Sequence, residues 1–326
     1  METIGTWWMW AGFALFVVVA IAIDLWVMER QGAHTVTMQE AVRWSLLWFS
    51  LAFVFVGLLW WYLDTHQGRE VANTVSMQFI TGYLVEKSLS VDNIFVFLVL
   101  FNYFAIPQQY QKRALIIGII GAIVLRTALI LVGAWLLATF HWLLYVFGAF
   151  LVITGVKMWF AASQESDIAS NPVLGFLRRH MNITDQFDGE KLSTMINGVK
   201  HYTPLFVVLV LIGTTDIIFA VDSIPAIFAI TSDPFIVLTA NIFAILGLRA
   251  LYFLLADLAN RFHLLAYGLA LVLVFIGSKM LLIDVYKIPI GYALLVTAVL
   301  IAGSIILSLR TTSGAARSSQ QAPTER

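Results

Sequence analysis

The chain has 326 residues, of which 60% are hydrophobic and 12% charged, with a mean hydropathy of +0.89. A soluble domain has nowhere to bury so much apolar surface, so the composition is that of a polytopic membrane protein. Net charge is zero with no basic cluster, which gives no sign of a nucleic-acid partner, and the absence of cysteine excludes disulfides, thiolate metal sites and cysteine nucleophiles.

The N-terminus, Met1-Glu2-Thr3, has no positive n-region, so the first apolar run is expected to be a retained anchor rather than a cleaved signal. A spanning helix takes about 20 apolar residues, and on that measure nine spans are expected, at about 7–28, 42–63, 76–104, 113–138, 142–162, 203–230, 235–258, 264–284 and 288–309. The fold class is therefore all-α, with one transmembrane domain over 1–310 and a disordered cytoplasmic tail over 311–326, rich in Ser, Thr, Gln and Ala. Trp7, Trp8, Trp10, Trp60, Trp61 and Tyr62 flank spans as interfacial anchors.

Lys and Arg outside the spans set the orientation. Arg30, Arg43, Lys112, Arg113, Arg178, Arg179, Lys191, Lys200, Arg261, Arg310, Arg317 and Arg326 fall on one side, against Arg69 and Lys287 on the other. The N-terminus is thus expected outside and the C-terminus in the cytoplasm. The longest connection, about 163–202, is then cytoplasmic, and Pro172–His180 suits a short amphipathic helix.

Two segments carry the chemistry: Glu86-Lys87-Ser88-Leu89-Ser90-Val91-Asp92-Asn93 and Asp216-Ile217-Ile218-Phe219-Ala220-Val221-Asp222-Ser223. Each sets two carboxylates six residues apart, with Asn93 or Ser223 after the second, inside an apolar run. Ionisable groups at that depth are expensive and mark substrate or ion pathways. The likeness extends further: Leu125-Arg126 matches Leu248-Arg249, and Gly155-Val156-Lys157-Met158 matches Gly277-Ser278-Lys279-Met280. Spans three to five thus repeat as spans six to eight. A three-span unit re-enters the membrane inverted, the design of many secondary transporters, which places the site at the repeat interface and Asp92 near Asp222.

On a straight helix two side chains six residues apart diverge by about 120°, so a shared cavity suggests broken helices. Gly82, Gly213 and Pro225 are the candidate breakers, and spans three and six are expected to be discontinuous. Glu86, Asp92, Asn93, Asp216, Asp222 and Ser223 offer almost only oxygen, which selects hard cations such as Mg²⁺, Ca²⁺ or Mn²⁺. Lys87, Arg126 and Arg249 could balance that charge when the site is empty, and a buried carboxylate could carry a counter-proton. Alternatively, Glu86 and Asp216 merely pair with Arg126 and Arg249 as ion bridges. Asp24, at the end of span one, and Asn241, in span seven, are further candidate lining residues. Lys157 and Lys279 are expected near span ends, snorkelling away from the cavity.

At these residues the chain resembles the TerC/Alx family of bacterial membrane proteins, on Gly82–Phe95, Phe219–Ala226 and Asn241–Arg249. The resemblance implies a LysE-superfamily type of transporter in the bacterial inner membrane that exports Mn²⁺, with the acids of both motifs binding the metal and no permanently bound cofactor. Family members commonly carry glutamate where this chain has Gly213, which puts the role of Asp216 in doubt. Two other readings compete: a membrane metal sensor or scaffold that binds without transport, and an intramembrane aspartyl protease, whose Gly-x-Gly-Asp is replaced here by Gly213-Thr214-Thr215-Asp216.

Overall fold

A computed structural model describes residues 3–31, 37–140, 142–161, 171–256, 264–286 and 288–320. Its helices are α1 (Trp7–Gln31), α2 (Met38–His66), α3 (Arg69–Tyr103), α4 (Gln108–Thr139), α5 (Leu143–Ala161), α6 (Pro172–His180), α7 (Pro204–Phe228), α8 (Pro234–Leu246), α9 (Leu248–Ala256), α10 (Leu265–Leu281) and α11 (Ile290–Gln320). One hairpin, β1 (Ser193–Ile196) with β2 (Val199–Tyr202), precedes α7.

Local chemistry fixes the helix starts. Thr37 caps α2 by accepting from the Glu40 amide, Asn171 caps α6, and Asp233 caps α8 by accepting from the Phe235 amide at 2.8 Å. Proline fills the first turn of α6, α7 and α8, where its missing N–H costs nothing. Asn197 and Gly198, both at positive φ, turn the hairpin; this Asn-Gly signal lay unused in the 163–202 segment, whose α6 stands where the amphipathic helix was expected.

Six helices, α1, α2, α4, α5, α7 and α11, are long and apolar enough to cross a membrane, and α8 with α9 makes a seventh span bent by 43°. Two of the nine expected spans fall short of that measure. The apolar run of α3 is interrupted by Glu86, Lys87, Asp92 and Asn93, and α10 has only 17 residues. Helix α11 continues to Gln320, into the expected tail, whose remainder lies outside the described residues.

The expected breaks in spans three and six are absent. α3 and α7 are each one continuous helix through their acidic pairs. Gly82 is a packing residue: a Cβ there would touch Ile227 and Ala240 at 3.4 and 3.5 Å. A Cβ at Gly213 would meet open space, and Pro225 sits near the end of α7, where few hydrogen bonds remain to be lost. The break occurs instead at Gly247, between α8 and α9.

Helix α3 forms the centre, packing against α2, α7 and α8, while α4 lies against α7 and α8. α5 runs along α10 at glycine-enabled distance. A Cβ at Gly277 would stand 2.7 Å from the Gly148 carbonyl oxygen, and one at Gly155 would stand 2.7 Å from that of Ala270. Phenylalanines 13, 16, 55, 79, 235 and 243 interlock where α1, α2, α3 and α8 meet.

Candidate functional site

Two rows of side chains meet between α3 and α7. Glu86, Leu89 and Asn93 follow the spacing i, i+3, i+7, which keeps them on one helix face, and Asp216, Phe219 and Ser223 repeat that spacing. The α3 row, with Phe219 and Ser223, lines a cavity of about 380 Å³ completed by Arg126 from α4, by Phe150, Thr154, Lys157 and Met158 from α5, and by Leu273 from α10.

Arg126 ties the two rows together. Its Nη1 pairs with Glu86 Oε1 and lies 3.5 Å from Ser223 Oγ, while its Nη2 donates to Asp216 Oδ1 at 2.9 Å. The arginine is 1% exposed and Glu86 fully buried, so the low dielectric gives this three-membered ion group its strength. Two carboxyl groups thus share one guanidinium. The second oxygen of Glu86, Oε2, is buried without a hydrogen-bond partner. An orphaned carboxylate oxygen in a polar cavity is costly, and a cation or water bound there would relieve it.

The candidate residues divide accordingly. Glu86, Asn93, Ser223 and Arg126 share the cavity. Asp216 joins through Arg126 but borders the neighbouring groove with Gly213, between α4 and α7. Asp92 and Asp222 belong to α3 and α7, but their side chains lie outside the described residues. Arg249 pairs with Asp24 of α1 and sits over the Trp44 ring at 5.9 Å, and among the described residues it bonds to neither Glu86 nor Asp216. The expected ion bridges are therefore half right, with both acids on Arg126 and neither on Arg249. Lys87 points the other way, its Nζ donating to the Ala244 carbonyl at 3.1 Å. Asn241 is fully buried, and neither of its polar side-chain atoms has a partner.

Lys157 is exposed near the end of α5, as expected of a snorkelling residue, but it lines the cavity wall rather than lying outside it, one turn from Thr154. The residues missed from sequence are those of α5. The Gly155–Met158 repeat match contained two of the lining residues, Lys157 and Met158, but repetition alone does not reveal which helix face turns inward. Among the described residues, no three His, Asp or Glu side chains cluster as a metal site. Besides Glu86, the residues that line the cavity with side-chain oxygen are Asn93, Ser223 and Thr154, a donor type suited to a hard cation.

The family model described as the integral membrane protein TerC family matches residues 71–319, a span that contains both acidic motifs, Arg126 and the α5–α10 pair. The chain belongs to the TerC family. Among its relatives, the Shigella flexneri protein named "Putative membrane-bound redox modulator Alx" is 54% identical over 294 residues, covering 90% of this chain and 92% of its own length. The protein of the same name from Photorhabdus laumondii is 48% identical over 95% of this chain and 97% of its own. An uncharacterised membrane protein of Rickettsia felis is 40% identical over 92% and 97%. No solved structure matches the chain. As a TerC-family member with several apolar helices, the protein is a multi-pass membrane protein.

Proposed function

We propose that this protein exports a hard divalent cation, Mn²⁺ first among them, from the cytoplasm by alternating access. The observation that carries the proposal is the unpartnered, buried Oε2 of Glu86 in a cavity that Asn93, Ser223 and Thr154 line with further oxygens, beside the nitrogens of Arg126 and Lys157. Export is the direction that the family resemblance implies.

Packing supports the inverted repeat that alternating access uses. If α3, α4 and α5 correspond to α7, α8–α9 and α10, then α3 on α8 has its counterpart in α7 on α4, and both contacts exist. In the alignment that pairs Gly155 with Gly277, Gly148 pairs with Ala270. The close contact of Gly148 with Gly277 then maps onto that of Ala270 with Gly155, as a two-fold axis between α5 and α10 requires.

The redox naming of the relatives is compatible with this reading. With no cysteine in the chain, thiol exchange is unavailable, and a redox-active transition ion such as Mn²⁺ would be the link. The test is flux in proteoliposomes with Mn²⁺, Ca²⁺, Mg²⁺ and Na⁺ offered separately. Glu86→Gln, Asp92→Asn and Asp222→Asn keep side-chain size but remove the charge a hard cation needs, so each should reduce Mn²⁺ flux at least about tenfold, the equivalent of 1.4 kcal/mol. Binding without flux in the unsubstituted protein would establish a sensor or scaffold instead. Normal flux in all three variants would make the acids structural.

A further inference from the structure

Glu86 and Lys87 are neighbours on α3 and therefore point about 100° apart. Glu86 faces the cavity; Lys87 faces α8 and Phe49 of α2. Lys87 is 6% exposed, and its ammonium meets no carboxylate among the described residues. Its contacts are the Ala244 carbonyl at 3.1 Å and the face of the Phe49 ring at 5.3 Å. Ala244 belongs to the last turn of α8, whose carbonyls lose their helical partners at the Gly247 break. The whole of α8 is buried, so water at the surface cannot satisfy those groups.

We propose that Lys87 is a tethered cation that caps the broken end of α8 and holds the α8–α9 span in its bent form. The negative end of the α8 dipole and its freed carbonyls make the kind of cation seat that discontinuous helices offer in transporters, and here the chain supplies its own occupant. Gly247 is part of the device. A Cβ at this position would lie 2.5 Å from Lys87 Nζ and 3.2 Å from Trp48 Cβ, so the ammonium must shift from its present place to admit any larger residue. The sequence pair Glu86-Lys87 thus joins the cavity to the bend through one rigid helix: a rotation or shift of α3 that accommodates an ion at Glu86 also moves the pin that holds the bend. That coupling rests on the proposed cation site, whereas the clamp itself does not.

The clamp is tested without transport. The chain has no cysteine, so Ser232→Cys, exposed just before α8, and Phe253→Cys on α9 take spin labels uniquely, and their distance distribution in lipid reports the bend. Lys87→Met fills the space without charge and should broaden and shift the distribution. Lys87→Arg keeps a donor and a positive charge and should retain it. Gly247→Ala should reproduce the Lys87→Met distribution. Combining Gly247→Ala with Lys87→Met should shift it no further, because both remove the same contact. An unchanged distribution in Lys87→Met, or additive shifts in the double variant, would overturn the clamp.

The coupling is tested separately with Mn²⁺ as probe. In Lys87→Met, Mn²⁺ affinity should stay within about threefold while flux falls at least about tenfold, a split a ligand would not show. Parallel loss of affinity would overturn the positioning role and put Lys87 in the cation site. If the unsubstituted protein moves no Mn²⁺, the proposed function fails while the spin-label result stands.

Discussion

Arg126 and Arg249 occupy matching places in the two halves of the chain, each after a leucine in the second helical segment of its half, yet they do different things. Arg126 is fully enclosed and holds two acids from two different helices, Glu86 and Asp216. Arg249 is drawn off by Asp24, which lies on α1, outside the repeated unit. Helix α1 is fastened at its other end too: Asp233, the cap of α8, accepts from the Ile4 amide at 2.7 Å and from the Thr3 hydroxyl at 2.9 Å. Asp24 of α1 thus holds one of two arginines at matching sequence positions, and Arg126 is the guanidinium in the cavity lining. Sequence repetition creates equivalent residues, but their charges are balanced by whatever packs against them.

The comparison is most sharply broken at Arg126. Replacing it by methionine leaves two buried carboxylates uncompensated, and loss of one partner from a buried ion group costs about 3–5 kcal/mol. Unfolding of Arg126→Met in detergent should show that loss, and the additional change Glu86→Gln should restore part of it. Equal stability of Arg126→Met and the unsubstituted protein would mean that the acids are neutral or otherwise paired.

A smaller effect is expected at Arg249, because its pair with Asp24 retains some contact with solvent, at 9% and 17% side-chain exposure. Asp24→Asn should cost about 1.5–3 kcal/mol, the range for a hydrogen bond to a charged group, and should leave Mn²⁺ affinity unchanged. A loss of affinity equal to that of Glu86→Gln would place Arg249 and Asp24 in the transport site after all.

The smallest change in stability is expected at Gly213. A side chain there would enter a groove of about 430 Å³ that Asp216 also borders, one turn away on the same face of α7. Gly213→Ala should therefore alter stability by no more than about 1 kcal/mol, the helix-propensity difference of glycine, whereas Gly213→Glu also sets a carboxylate inside a span, at a cost of about 2.5–3.5 kcal/mol. It adds an acid beside one that Arg126 already holds, so apparent Mn²⁺ affinity, measured by titration, should rise. An unchanged affinity would show that this groove is not continuous with the cation path.

The amino-acid sequence by itself determined that the protein is helical and membrane-embedded, that two acidic motifs recur in it, and that oxygen is the donor type they offer. Those follow from composition and spacing, which act locally. Helical spacing also shows that Glu86, Leu89 and Asn93 share a face, whereas the paired-acid pattern singled out Glu86 and Asp92. Only the tertiary structure decided which partner each charge found. Arg126 meets Asp216 ninety positions away, and Arg249 meets Asp24 across 225. It also decided that Gly247 rather than Gly82, Gly213 or Pro225 breaks a span, since a helix tolerates glycine or proline wherever neighbouring groups satisfy the backbone. Lys157 entered the cavity wall for the same reason: its span position was legible, but which way its helix turned was set by the close glycine contacts of α5 on α10.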